Sequence, residues 1–277
     1  MLVVKVGGSC LEQLEPEWWD KLAALGPRTK LVVVHGWSRM VSAETPDGQP
    51  DFIFDKHGFR SRYTTEAVLA QIERVSAGLR EQIAHALRER GLTVEAIDGA
   101  ESRLLHAEVK QNMWWVGDDL VPLTNLVGPV REIDESRLDV LLAENDAVVV
   151  TPLAVTQDHP RVNTDADRAA AAIAGGGAAN RLVLVMDADA VQADGKPVRN
   201  VSRADLEELA QHASGGMSKK LRAVEEAFAG GVKQVAIGRA SVPALLAGDA
   251  GTLITNNGVV EGDAAHPAGV EHHAGDG

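Results

Sequence analysis

The chain has 277 residues, 45% of them hydrophobic and 24% charged, and a formal net charge of −13. Length and apolar content are enough for a buried core, in one large domain or two modest ones. The acidity argues against nucleic acid or an anionic membrane as the general partner, though it leaves room for a local basic cleft, and no apolar run approaches the ~20 residues that span a bilayer.

The N-terminal "MLVVKVGGSC" lacks a basic segment, a long apolar stretch and a small-residue cleavage site, so it is not an evident signal peptide. Its Cys10 is the single cysteine, which excludes an internal disulfide and fits a reducing cytoplasm; it is read as a packing residue. "LVVKV" (2–6), "LVVV" (31–34), "AVVV" (147–150), "LVLVM" (182–186) and "QVAI" (234–237) are continuously apolar and predict strands buried on both faces, as in a parallel sheet covered by helices. Val68, Ile72, Val75, Leu79, Ile83 and Leu87 step by three or four and predict one helix face that ends at Gly91. Residues 103–133 alternate apolar and polar with Gly and Pro punctuation, which predicts antiparallel hairpins inserted as a flap. "AGGGAAN" (174–180) is the candidate hinge between a half spanning 1–177 and a half spanning 178–260. Leu221, Val224 and Phe228 mark a further helix closed by Gly230 and Gly231. The tail 261–277 has little to bury and is expected to be disordered; without a second pair or a helical frame, its His272 and His273 are not read as metal ligands. The order is mostly βαβ, an α/β architecture with a mainly parallel central sheet.

Four stretches carry chemistry. In "VKVGGS", Gly7 and Gly8 follow a strand that ends near Lys5; this is either a tight turn or a place where amides approach an anion with no Cβ between. "HGWSR" repeats the pattern after the second strand, and two such loops at strand carboxyl ends face one crevice. "RVNTDADRAAAAIAG" (161–175) puts Asp165 and Asp167 in the first turn of an Ala-rich helix, where capping explains one acid but not the whole cluster with Asn163 and Arg168. "SGGMSKKLRAVEEA" (214–227) delivers Lys219 and Lys220 to a helix start, against its dipole, so an anion such as phosphate should compensate.

"VKVGGS", "HG", "GFRSRYTTEA", "VNTDADRAAAAIAG", "LVMDADAV" and "GGMSKKLRAVEEAFAGGVKQVAIG" follow one another in the order of the amino acid kinase family, and the chain resembles that family over nearly all of residues 1–257. Within it the chain is similar to N-acetylglutamate kinases, and more so to the branch that phosphorylates glutamate or 2-aminoadipate attached to an amino-group carrier protein in lysine- or arginine-type biosynthesis. The resemblance implies an αβα sandwich, ATP and Mg²⁺ as cofactors, transfer of the γ-phosphate to a side-chain carboxylate, a small carrier protein as partner, and a homodimer. It implies that Lys5 and Lys220 hold the transferring phosphoryl group, with Asp165 orienting both. Gly7, Gly8, Gly36, Trp37 and Ser38 would bind its oxygens through backbone amides. Arg62, Asn163 and Arg161 would bind the acceptor, and Asp187, Gly216, Met217 and Lys219 the ATP, with Mg²⁺ on phosphate oxygens. A free N-acetylglutamate kinase and a non-catalytic nucleotide-binding homologue are the alternatives.

The family pattern has three glycines after the histidine, whereas here Trp37 and Ser38 follow Gly36. Amides survive that change, but a positive φ at either position would strain a bulky residue by about 1–2 kcal/mol. An indole there is expected either to reshape the acceptor pocket or to turn away from it. The flap holds few basic residues for an acidic carrier, so Trp114 and Trp115 are candidates for an apolar contact, or equally for covering the sheet. An arginine at 161, where the acetylglutamate kinases carry asparagine, could meet a second carboxylate or the carrier's terminus.

Overall fold

A computed structural model describes residues 1–37, 41, 51–56, 58, 60–109, 112–211 and 216–256. Ser38, part of the 214–220 turn and the tail from 261 with its paired histidines lie outside the described residues.

Runs of β-branched residues are stiff at χ1 and fit a pleated surface, so each apolar run becomes a strand. In chain order the elements open with Leu2–Val6 (β1), Pro16–Ala23 (α1) and Leu31–His35 (β2). Phe52–Asp55 (β3), Arg60–Arg62 (β4), Glu66–Arg88 (α2) and Val94–Asp98 (β5) follow. Next come Leu105–Ala107 (β6), Asn112–Val116 (β7), Asp119–Leu123 (β8), Val130–Ile133 (β9) and Glu135–Glu144 (α3). Ala147–Thr151 (β10), Leu153–Ala154 (β11), Val162–Asn163 (β12), Ala166–Gly176 (α4) and Arg181–Val185 (β13) lead into the second half. That half adds Gln192–Ala193 (β14), Lys196–Pro197 (β15), Asn200–Ser202 (β16), Leu206–Gln211 (α5) and Gly216–Ala229 (α6). Gln234–Gly238 (β17), Val242–Ala247 (α7) and Thr252–Thr255 (β18) complete it.

The central sheet has the order β16-β18-β17-β13-β1-β2-β10-β5. Its pairs are parallel except β17 with β18. The five predicted apolar strands are neighbours at its centre, and β1, β2 and β10 are buried at every residue. Two hydrophobic clusters lie on its two faces, one with Val3, Val32 and Leu182 under α3, α4 and α6, the other with Val4, Val33 and Val183 under α1, α2 and α7. This is the αβα sandwich that the family resemblance implied, around the mainly parallel sheet that the βαβ order predicted.

The apolar stripe of α2 faces the second cluster, capped by Thr65, whose hydroxyl accepts the Val68 amide. Gly91 takes φ +83° just beyond the helix, a conformation that suits glycine. Residues 174–180, expected as a hinge, are helical as far as Gly176, and Gly175 packs directly on Gly230. Residues 103–133 hold the antiparallel pairs that their alternation predicted, and strands from earlier in the chain join them. The β7–β8 hairpin, turning at Gly117, joins β3 and β4 in a four-stranded sheet ordered β4-β3-β7-β8, while β6 pairs separately with β9. Among the described residues no helix is long and apolar enough to cross a membrane.

Candidate active site

Parallel strands β1, β2 and β13 end side by side, so Lys5, His35 and the residues after Val185 reach one edge of the sheet. Lys5 sits in a strand buried on both faces and is 7% exposed, a position that an ammonium tolerates only when paired. Its partner is Asp167, at 2.7 Å from Lys5 Nζ to Oδ1. Lys220 Nζ, from the second turn of α6, donates to Oδ2 of the same carboxylate at 2.8 Å. Burial opposes ionisation of Asp167, but the two ammonium groups outweigh it and hold its carboxyl far below the usual range. Lys5 is raised, because Asp167 outweighs the effect of burial, whereas burial and repulsion from Lys5 lower Lys220.

Asp165 therefore does not hold the two lysines as expected. It is the N-cap of α4, and its Oδ1 accepts the amides of Asp167 at 3.0 Å and Arg168 at 3.2 Å. At about 100° per residue, an acid two positions on projects from nearly the opposite side of the helix, and that one faces the lysines. Asp165 still lines the cleft and adds a weaker attraction to both ammoniums.

The two glycine turns touch. A Cβ on Gly8 would lie 2.8 Å from the Gly36 carbonyl carbon and oxygen, and one on Gly36 would lie 2.9 Å from the Gly8 nitrogen. Glycine is thus required there for space, since neither position has positive φ. The amides of Gly7 and Gly36 are occupied by Val185 O and Val6 O, which corrects the expectation that they face phosphate. Among the described residues the amides of Gly8 and Trp37 make no backbone bond. Trp37 has no positive φ either, so its bulk causes no left-handed strain. It is buried, and it lines the cleft.

The cleft has a volume of about 470 Å³, and Lys5, Arg60, Arg62, Lys219 and Lys220 line it against Asp165, Asp167 and Asp187. Five cations against three acids, in a chain of net charge −13, make this a local site for anions. Gly216 also lines it, and the half-buried Met217 beside it packs against the hydrophobic core. At the other end stand Arg62 and Asn163. Asn163 Nδ2 donates to Thr64 Oγ1 at 3.3 Å, while its buried Oδ1 has no partner among the described residues. A carbonyl oxygen of this kind can accept from an amide N–H. Arg161 does not reach the cleft. It pairs with Glu73 at 3.1 Å and lies 3.6 Å from Asp98 and 3.9 Å from Glu101, so its carboxylate partners are the protein's own. Arg60, Ser61 and Phe52, cleft residues not anticipated above, come from β3 and β4; the alternation of "FIFD" was the available signal.

The described site suits a nucleotide's phosphates. Two buried ammoniums share one carboxylate, and Gly8 and Trp37, whose amides have no backbone partner among the described residues, line the same cleft.

The model of the amino acid kinase family matches residues 1–239. A LysW-aminoadipate/LysW-glutamate kinase of Saccharolobus solfataricus is 30% identical over 246 residues, covering 86% of this chain and 92% of the relative. Among solved structures, N-acetylglutamate synthase from Neisseria gonorrhoeae superposes with a TM-score of 0.73 at 23% identity over 92% of this chain; this chain spans 59% of the synthase. Carbamate kinase from Giardia lamblia bound to AMP-PNP gives a TM-score of 0.60 at 14% identity, covering 92% of this chain and 98% of that one. With a fold shared at this coverage and a family model spanning most of the sequence, the chain belongs to the amino acid kinase family and is a phosphotransferase.

Proposed function

We propose that the protein transfers the γ-phosphate of ATP to the side-chain carboxylate of 2-aminoadipate or glutamate held by a small amino-group carrier protein. The class of chemistry is phosphoryl transfer to a carboxyl group. A carboxylate oxygen bonds to the γ-phosphorus, the bond from that phosphorus to the β,γ-bridging oxygen breaks, and ADP leaves with its electron pair. No proton moves at the reacting atoms, so catalysis is alignment and charge neutralisation.

In this reading Lys5 and Lys220 flank the migrating phosphoryl group, and Asp167 keeps both ammoniums in place and charged. The amides of Gly8 and Trp37 take phosphate oxygens. Asp187, Gly216 and Lys219 hold the rest of the nucleotide. Mg²⁺, when bound, neutralises phosphate charge. Arg62 takes the acceptor's α-carboxylate, and Asn163 Oδ1 accepts from its acylated nitrogen.

One observation favours a conjugated acceptor over a free one. A second cavity of about 620 Å³ shares Arg60, Ser61, Val127, Asp165 and Lys219 with the transfer cleft and runs out beneath Phe54 and Trp114 of the flap. It gives a linker on the acceptor nitrogen a route to the surface, which free N-acetylglutamate does not need. The relatives named as acting on LysW conjugates support the same choice.

Hydroxylamine trapping of the acyl phosphate tests it. ATP with a carrier conjugate should yield hydroxamate. Trapping with free N-acetylglutamate but not with the conjugate would replace this reading with the free-substrate one. Nucleotide binding without trapping from any carboxylate would favour a non-catalytic homologue.

A further inference from the structure

Arg62 ends β4 at the acceptor end of the cleft, over two aromatic rings. Its guanidinium carbon lies 5.4 Å from the centre of the Trp37 indole and 4.9 Å from that of Phe52. Arg60 stands over Phe52 as well, at 4.5 Å. Trp37 follows the Gly36 turn and Phe52 opens β3, so the rings come from separate segments and the arginine contacts both.

Stacked against rings, a guanidinium is attracted by their quadrupoles, and its N–H edge remains its route to further partners. That edge is the part that grips a carboxylate through two parallel hydrogen bonds. A free arginine side chain must lose much rotamer freedom to do so, and a clamped one has lost it beforehand. Burial disfavours the Arg62 charge, Asp51 supports it, and repulsion by Arg60 weakens it further. An anion at the edge would add to that support.

We propose that Trp37, together with Phe52, is a positioning residue for Arg62, clamping the guanidinium so that its N–H edge meets the acceptor carboxylate and fixing the span from there to the lysine pair. This rests on the reading of the cleft as one that takes a carboxylate acceptor. With Arg62 and the Lys5–Asp167–Lys220 group both fixed, the cleft measures its acceptor between two anchored ends. Trp37 thereby acts as a ruler for acceptor length.

The test follows the Arg62 Nε–Hε resonance by NMR, assigned by its loss in Arg62→Lys, during titration with glutarate and with adipate, dicarboxylates that differ by one methylene. In the wild-type protein this resonance should carry a ring-current shift and respond to one dicarboxylate more than to the other. In Trp37→Gly the ring shift should shrink, affinity for the preferred dicarboxylate should fall about ten-fold, and the length preference should flatten. Trp37→Phe should keep most of both. The Arg168 resonance, from a guanidinium forked onto Glu226, reports whether each variant is folded. If Trp37→Gly does not fold, Phe52→Leu on the half-exposed strand gives the same readout. An Arg62 signal that binds dicarboxylate but ignores the loss of either ring overturns the clamp alone. A wild-type signal with its ring shift intact that ignores both dicarboxylates overturns the carboxylate reading of the cleft, and with it the ruler.

Discussion

Lys5 and Lys220 meet on the two oxygens of a single carboxylate, at 2.7 Å and 2.8 Å from Asp167. They come from opposite ends of the sequence, one from a buried strand and one from a helix on the sheet's face. One negative charge lies between two buried positive ones, and in the proposed reaction the transferring phosphoryl group would balance the remaining charge.

Asp167→Asn should leave the two ammoniums facing each other across a neutral amide. We expect a loss of about 3 kcal/mol in denaturant unfolding and at least about 100-fold in hydroxamate formation. Asp165→Asn should cost only a few tenths of a kcal/mol, because asparagine caps a helix nearly as well as aspartate. Equal losses in the two variants would contradict the assignment of the bridging role to Asp167.

Arg161 supplies a contrasting case. Its contacts are Glu73, Asp98 and Glu101, away from the cleft. Arg161→Gln should lower stability by about 1–2 kcal/mol, since it leaves carboxylates of α2 and the β5 end without their cation. The Michaelis constant for the acceptor should stay at its wild-type value; a several-fold rise would restore a substrate-binding role.

Gly230 probes the coupling of α4 to α6. A Cβ there would stand 2.7 Å from Gly175 Cα, with backbone on both sides and no flexible group to yield. Gly230→Ala should cost about 1–3 kcal/mol through displacement of the helices. Because α4 carries Asp167 and α6 carries Lys220, kcat should fall together with the melting temperature. An unchanged melting temperature would show that the helices separate freely.

His35 sets an acid limit. It is fully buried at the end of β2, with Nε2 at 3.1 Å from Thr151 Oγ1, a hydroxyl that also receives Arg80. Burial pushes it down to about 4, the Gly36 carbonyl partly offsets this, and the Arg80 charge adds to it. A folded-state pKa below the unfolded value of 6.5 means that the unfolded chain binds the proton first. Stability should therefore be highest above that unfolded value and fall by up to about 3 kcal/mol as the pH drops toward 4. His35→Asn should flatten the profile across this window. The Asp167 contribution, from a depressed carboxyl, is lost only at lower pH, below its unfolded value of 3.8.

Much of the fold was readable because its signals are local. A run such as "LVVKV" can satisfy neither a half-exposed strand nor an amphipathic helix, so it goes to the middle of a covered sheet, and β1 does. The three-and-four stepping from Val68 to Leu87 likewise admits one buried face. The joining of β3 and β4 to the β7–β8 hairpin was not readable, because both strands are brief and amphipathic and β7, the partner of β3, lies far along the chain. Pairing across such a separation leaves no mark in either segment.

The residue types were fixed by the chain itself: lysines placed at a strand end and a helix start, acids in one helical turn, glycines after strands. Their burial is costly unless they converge, which made a cleft for an anion legible before any coordinates. Which partner each one finds was decided in three dimensions. Asp165 and Asp167 stand two positions apart, yet one turns back onto its own helix and the other faces both lysines. Trp37 escapes strain because of a backbone angle, and Arg161 turns from the cleft because three carboxylates stand nearer. Side-chain direction, helix rotation and packing distance are collective properties of the folded layers, and a linear pattern carries them only weakly.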